Sequence, residues 1–134
     1  MMSTDSPRRY KIDPDPAWDQ TDEENGVLSV ELSWVPDALA GRAPNLVASP
    51  ELVAAMAADG LTGYATGAAR GYYREDGGFG VEPGQAPPDL VRILVEETPA
   101  ADFSYQEGQG LTVSERALAL LRAHCENLTV QPVG

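Results

Sequence analysis

The segments LVASPE (Leu46–Glu51) and LTVSER (Leu111–Arg116) decide the fold, because each predicts a short strand that runs directly into a helix. Ser49 and Ser114 follow the apolar residues. A serine hydroxyl in this position accepts a hydrogen bond from a free amide of the first helical turn. Pro50 then stands at the first helical position, where its missing N–H is not needed. Both segments therefore predict a serine-capped helix directly after a strand.

The two segments share a spacing of apolar residues that indicates an internal repeat. Ser114 lies 65 residues after Ser49. The same offset pairs Leu46 with Leu111, Val53 with Leu118 and Met56 with Leu121. Beyond the helix, the second segment needs about two extra residues to bring Leu128 into line with Leu61. We interpret this as a duplicated strand–helix–strand motif inside one domain. The alternative is two unrelated strand–helix junctions.

The stretch Val27–Val35 gives the clearest single strand outside the repeat. Its alternation places Leu28, Val30, Leu32 and Trp34 on one face and Ser29, Glu31 and Ser33 on the other. Such a strand belongs to a sheet with one packed side and one wetter side. We expect the helices that begin at Pro50 and Glu115 to cover one face of this sheet.

The remaining elements are shorter or less regular. Further strands are predicted at Tyr10–Ile12, Leu90–Val95, Phe103–Tyr105 and Leu128–Val130, with a short helix from Asp89 as the alternative for the second of these. The prolines of Asp13–Pro16 end the first strand, and Pro132 ends the last. The residues up to Gly26 predict an exposed acidic loop, and Gly67–Gly84 predicts a loose segment.

These patterns together predict one α+β domain over residues 1–134. It has a mixed β-sheet, two main helices and the duplicated strand–helix–strand motif. A chain of 134 residues with 43% hydrophobic residues suits a single domain. Residues 1–9 are expected to form a flexible tail, and residues 74–88 a flexible loop.

Charge and cysteine content exclude several classes of function. The formal net charge is -12, which would repel nucleic acid from any broad electrostatic surface. The single cysteine, Cys125, excludes an internal disulfide and a multi-cysteine metal site. The N-terminal residues are not expected to form a secretory signal, and the longest apolar run, Leu52–Ala58, is far below the roughly 18 residues that span a bilayer. We therefore expect a cytoplasmic protein that binds neither membrane nor nucleic acid.

No residue pattern predicts catalysis, a metal site or a cofactor. His124 is the only histidine and adjoins Cys125, so on a helix their side chains point about 100° apart. The glycines around Phe79 lack a phosphate-loop lysine, since the chain's only lysine is Lys11. The acidic residues that stand next to each other in the sequence are typical of solvated surface charge. We therefore expect a non-enzymatic protein with no cofactor and no metal.

The segments NLVASPELVAAMAADGLTGY and DFSYQEGQGLTVSERALALLRAHCENLTVQPV resemble parts of small bacterial immunity proteins from polymorphic-toxin systems. The resemblance covers Leu46–Tyr64 and Asp102–Val130. It implies a compact α+β domain with a strand, a serine, a helix and a closing strand. The stretch Tyr72–Gly84 has no counterpart in it.

The resemblance implies a protein that binds a cognate toxin in the cytoplasm and occludes its active site. An acidic protein suits a basic toxin, because opposite charge speeds their encounter. The expected partner-binding residues are acids that supply charge and side chains that anchor the partner: Asp15, Asp19, Asp22, Glu23 and Glu24 for charge, and Tyr72, Tyr73 and Arg74 as anchors. The alternative is a structural or accessory subunit of a larger bacterial assembly.

Overall fold

The computed structural model describes residues 9–16, 18–42, 45–73 and 84–133, which include ten strands and two helices. Their order is β1 (Arg9–Asp13), β2 (Trp18–Glu24), β3 (Val27–Leu32), β4 (Leu39–Arg42), β5 (Asn45–Ala48), α1 (Pro50–Ala58), β6 (Tyr64–Tyr73), β7 (Leu90–Val95), β8 (Phe103–Gln106), β9 (Gly110–Ser114), α2 (Glu115–His124) and β10 (Thr129–Val133). Most of the predicted tail and residues 74–83 of the predicted loop lie outside the described residues.

The strands form two sheets. The smaller sheet has the order β10-β1-β9-β8, and the larger has the order β2-β3-β6-β7-β5-β4. Strands β3 and β6 run parallel, whereas the other ladders of both sheets are antiparallel. The predicted α+β class with a mixed sheet and two main helices is therefore confirmed.

The predicted duplication is present and is larger than the sequence indicated. The first unit comprises β4, β5, α1, β6 and β7, and the second comprises β8, β9, α2, β10 and β1. Their strand orders match, β4-β5-β7-β6 against β8-β9-β1-β10. The registers match as well. Val47 lies opposite Ala40 and Arg92, and its counterpart Thr112 lies opposite Ser104 and Lys11.

The alignment beyond the helix differs from the prediction. Strands β7 and β1 match each other in the two units. Arg92 on β7 pairs with Gly67, and Lys11, at the matching position of β1, pairs with Gln131. This makes Gly67 equivalent to Gln131, an offset of 64 residues. The second unit is thus one residue shorter between its cap and its closing strand, not two residues longer. Leu128 consequently aligns with Tyr64 rather than with Leu61.

Both units and both helices share the main core. Its buried side chains come from α1 and α2, from both sheets and from the loops between them; they are Ile12, Leu39, Leu46, Ala48, Leu52, Met56, Leu61, Ile93, Val95, Phe103, Leu111, Val113, Ala117, Leu118 and Leu121. Tyr64 and Phe103 meet edge to face at 5.5 Å between ring centroids, which joins the two units directly. One continuous core therefore makes the chain a single domain.

A second, smaller cluster lies on the other face of the six-stranded sheet. It contains Leu28, Val30 and Leu32 from β3 together with Ala40 and Val47. On β5, Val47 belongs to this cluster, whereas its neighbours Leu46 and Ala48 belong to the main core. The predicted alternation of β3 is thus confirmed, but its apolar side faces away from the helices. The sheet curls so that β3 packs against β4 and β5.

Three segments differ from their predicted structure. The predicted acidic loop is strand β2, which joins β3 through a two-residue turn at Asn25 and Gly26, both with positive φ. Strand β6 continues to Tyr73, well into the predicted loose segment. Pro132 lies within β10 rather than after it. An edge strand such as β10 tolerates proline, because one side of its backbone is unpaired.

The duplicated caps provide a matched pair of substitutions. Ser49 Oγ accepts from Leu52 N at 3.1 Å, and Ser114 Oγ accepts from Ala117 N at 3.2 Å. Ser114 Oγ also donates to Asp102 at 2.6 Å. We expect Ser49→Ala to lower the free energy of unfolding by about 1 kcal/mol and Ser114→Ala by about 2 kcal/mol. Urea unfolding of both variants measures the difference, and equal losses would contradict a role for the Asp102 contact.

Candidate functional site

An acidic face forms where β2, β3 and β6 lie side by side. We define it by the residues Asp22, Glu24, Ser29, Glu31, Arg70 and Tyr72. The register places Asp22 opposite Ser29, Ser29 opposite Arg70, and Glu31 opposite Tyr72, so these side chains share one side of the sheet. This side is opposite to the one that buries Leu28, Val30 and Leu32.

The acidic face brings together three of the predicted partner-binding residues. Asp22 and Glu24 are exposed, and Tyr72 is 44% exposed, one of the few large hydrophobic side chains in the described ranges with so much free surface. Within the face, Arg70 Nε donates to Ser29 Oγ at 3.1 Å. The face thus combines solvated negative charge with an aromatic side chain that a partner can cover.

Glu23 points to the other side of the same hairpin. Its Oε2 accepts from Nη2 of Arg92 on β7 at 2.7 Å. The Arg92 side chain is only 12% exposed, whereas that of Glu23 is 53% exposed. Arg92 Nη1 also reaches the Gly26 carbonyl at 3.5 Å. Glu23 therefore has an internal partner and is separate from the acidic face.

Asp15 is buried and bound within the protein. Its carboxylate accepts from Trp34 Nε1 at 3.0 Å, from Asp37 N at 3.0 Å and from Asn127 Nδ2 at 3.0 Å. With 2% exposure, it ties together three connecting segments. In this conformation a partner cannot reach it, so we leave it out of the proposed binding surface.

The remaining predicted residues do not extend the acidic face. Tyr73 packs against the second cluster, and burial raises the pKa of its hydroxyl, which has no hydrogen-bond partner among the described residues. Asp19 lies on β2, but its side chain is outside what the structure describes, and Arg74 is outside the described residues altogether.

Two further acids, which the sequence analysis did not single out, join the two units. Asp102 precedes β8 of the second unit and accepts from Thr62 N, in the loop after α1, at 2.8 Å. Asp37 precedes β4 of the first unit and accepts from Glu126 N, in the loop after α2, at 2.9 Å. Residues 62 and 126 are equivalent positions in the repeat. The two carboxylates therefore make reciprocal contacts, each holding the other unit's loop.

Asp102 also binds the start of α2. Arg116 donates to it from Nε at 2.9 Å and from Nη2 at 2.8 Å, and Ser114 Oγ donates at 2.6 Å. The Arg116 guanidinium, with help from Ser114 and Thr62 and against the effect of burial, holds the pKa of Asp102 well below its usual range. This carboxylate is saturated with donors, which is typical of a structural role.

The thiol of Cys125 and the imidazole of His124 both lie at the C-terminal end of α2. Burial raises the pKa of Cys125 to about 11, so its thiol is protonated at neutral pH. His124 is exposed at the end of α2. Within the described ranges no three histidine, cysteine or acidic side chains group as metal ligands do, and no helix has the length and apolar character to cross a membrane.

Comparisons of the chain with protein-family models, with curated proteins and with solved structures found no match. The function proposed below therefore depends on this chain's own residues and on the resemblance described above.

Proposed function

We propose that the protein is a non-enzymatic binding domain, an immunity-type inhibitor that neutralises a cognate basic bacterial toxin in the cytoplasm by occluding its active site. The observation that carries the proposal is the acidic face, where the exposed acids Asp22 and Glu24 on β2 share one side of the sheet with Tyr72 on β6. The net charge of -12 adds to the long-range attraction of a basic partner.

Charge and aromatic area contribute to different steps of binding. Negative charge attracts a basic partner over a distance and raises the association rate, an effect that salt screens. A tyrosine buried at the centre of an interface slows dissociation, because it excludes water and fills a pocket on the partner. Asp22 and Glu24 fit the first role, and Tyr72 fits the second.

The partner is identified by purifying the N-terminally tagged protein from its native cell at low salt. We expect one dominant basic protein that dissociates at high salt and whose toxic activity the purified chain inhibits. A set of structural proteins, retained together at high salt, would instead support the alternative of an accessory subunit of a larger assembly.

Charge reversal then tests the acidic face. We expect Asp22→Lys combined with Glu24→Lys to lower the association rate for the captured partner by about tenfold and to flatten its salt dependence. The matched control is Glu97→Lys combined with Glu107→Lys, which makes the same change in net charge at exposed sites away from the face. Surface plasmon resonance at several salt concentrations measures both rates. Equal effects of the two double variants would show that the acidic face has no special role.

A further inference from the structure

Two clefts occupy equivalent places in the two units. The cleft of the first unit has a volume of about 630 Å³ and is lined by Arg92, Asn45, Ala65 and Leu94, among others. The cleft of the second unit has a volume of about 490 Å³, and its lining includes the counterparts Lys11, Gly110, Thr129 and Asp13. The matching registers make each of these four pairs equivalent. We call the cleft of the first unit the Arg92 cleft and that of the second unit the Lys11 cleft.

The Arg92 cleft already contains a carboxylate. Glu23 lines it and binds Arg92 at 2.7 Å. The β2–β3 hairpin supplies this glutamate, because β3 pairs with β6 and places the hairpin beside the cleft. The Arg92 side chain lies across Gly67, with Cδ 3.6 Å from where a Cβ of that residue would stand. A glycine at this position leaves the arginine room to reach the hairpin.

The Lys11 cleft has the equivalent cation without the carboxylate. Strand β10, the counterpart of β6, is an edge of its sheet, so within the described ranges no hairpin covers this cleft as β2–β3 covers the other. The Lys11 side chain lies instead across Gly110, with Cε 3.2 Å from where a Cβ would stand. Among the described residues, the side chain of Lys11 forms no hydrogen bond or ion pair.

A second cation enters the Lys11 cleft from the first unit. Arg42, at the end of β4, lines the cleft, and its side chain also forms no hydrogen bond or ion pair to any described residue. Asp13 is the one acidic side chain among the described residues that line the cleft, so the two cations outnumber it there. In a chain of net charge -12, this concentration of positive charge in a concave site is a local exception.

We infer that the Lys11 cleft binds a small molecule through a carboxylate group. Lys11 Nζ takes the part that Arg92 plays toward Glu23, and Arg42 supplies the second cationic donor. Ammonium and guanidinium groups form short, charge-assisted hydrogen bonds to carboxylates, as the Glu23–Arg92 pair does within this protein. The volume of 490 Å³ lies within the range of roughly 300–1,000 Å³ found for small-molecule sites.

An NMR titration of the full chain tests this site directly. The ligands are acetate, succinate and citrate, each compared with chloride at equal ionic strength. We expect saturable amide shifts at Gly41, Gly108 and Gly110, which line the cleft. Lys11→Gln is expected to weaken binding by about tenfold, whereas the control Arg122→Gln, at an exposed arginine on α2, leaves it unchanged. Shifts that do not saturate, or that are the same in Lys11→Gln, would overturn the proposal.

The equivalence of the two clefts gives a second test that does not depend on weakening the first site. Glu23→Gln replaces the internal carboxylate with a neutral amide and leaves the charge of Arg92 uncompensated. We expect this variant to gain a second saturable set of shifts at Ala65 and Gly67 while it keeps the set at Gly110. In Glu23→Gln combined with Lys11→Gln, only the second set remains strong. If Glu23→Gln gains no second set, the two clefts are not equivalent as binding sites, and saturable shifts at Gly110 that persist unchanged in the double variant would overturn the assignment of the Lys11 cleft.

Discussion

Gly63→Ala lowers the free energy of unfolding by about 4 kcal/mol, although it only adds a methyl group and removes no side chain. Gly63 has φ of +92°, in the left-handed region that residues with a Cβ rarely adopt. An added Cβ would also overlap the Phe103 carbonyl oxygen and stand 2.7 Å from Ala101 Cβ. The first obstacle is backbone, so a side-chain rotation cannot relieve it.

The contacts on both sides of Gly63 explain why its loop cannot move away from Phe103. It follows Thr62, whose carbonyl accepts from Phe103 N at 3.0 Å, and it precedes Tyr64, whose ring meets that of Phe103. The loop after α1 is thus fixed against the start of β8 on both sides of the glycine. Relieving the overlap requires separating the two units, which breaks these contacts.

Gly60→Ala provides the matched control. Gly60 also has positive φ, +65°, but an added Cβ would meet nothing within 4 Å. We expect it to cost only the conformational strain, about 1 kcal/mol. Thermal unfolding should therefore show a Tm about 12–20 °C lower for Gly63→Ala and only a few degrees lower for Gly60→Ala. Similar losses in the two variants would mean that the contact with Phe103 is not responsible.

Local signals in the sequence predicted the helices and their caps correctly. Ser49 and Ser114 bind amides only three residues away, so the residues that make the contact stand together in the sequence. The alternation of β3 is equally local, since Leu28, Val30 and Leu32 need only a packed side. The repeat was recognisable for the same reason, because it was read from these short junctions.

Strands without an apolar alternation were missed. Strand β2 carries Asp22, Glu23 and Glu24, which favour a loop by propensity. It is an edge strand, where charged side chains remain solvated, and the Asn25–Gly26 turn next to Val27 was the available signal. The part of β6 beyond Gly67 contains mostly alanine, glycine and tyrosine, and its pairing with neighbours on both sides makes it a strand.

Contacts between the units could not be read from the sequence. Thr62 and Asp102 are 40 residues apart, and Asp37 and Glu126 are 89 apart. Their meeting depends on how the two repeats pack. The same holds for Glu23 and Arg92, 69 residues apart. Spacing suggested that Asp15 and Glu23 belong to one solvated acidic group, whereas packing buries the first and pairs the second.

Asp102→Asn lowers the free energy of unfolding by about 3 kcal/mol at neutral pH, because it removes the negative charge that binds both Arg116 and the loop after α1. The carboxylate accepts five hydrogen bonds from Thr62, Ser114 and Arg116. An amide in the same place keeps one acceptor oxygen and turns an NH₂ group toward these donors. Asp102 is only 6% exposed, so water does not replace the lost partners.

Asp37→Asn is the matched control that the repeat provides. Asp37 holds the equivalent loop through Glu126 N and Asn127 N, but it is less buried and its hydrogen bonds come from backbone amides rather than a guanidinium. We expect a loss of about 1–2 kcal/mol. A larger loss for Asp37→Asn than for Asp102→Asn would contradict the importance of the ion pair with Arg116.

The pH dependence of the free energy of unfolding separates the contribution of the negative charge of Asp102 from that of its hydrogen-bonding geometry. The pKa of Asp102 is lower in the folded protein than the ordinary value of 3.8 expected for the unfolded chain. The ionised carboxylate therefore stabilises the fold fully above about pH 5, and this stabilisation is lost as the pH falls through about 4 and toward the folded-state pKa.

Asp102→Asn cannot titrate at this position. Urea unfolding at a series of pH values should thus show the difference between wild type and Asp102→Asn shrinking by at least about 1 kcal/mol between pH 7 and pH 3. A difference that stays constant would mean that the variant is destabilised by misplaced hydrogen bonds alone and that the charge of Asp102 contributes nothing to holding the two units together.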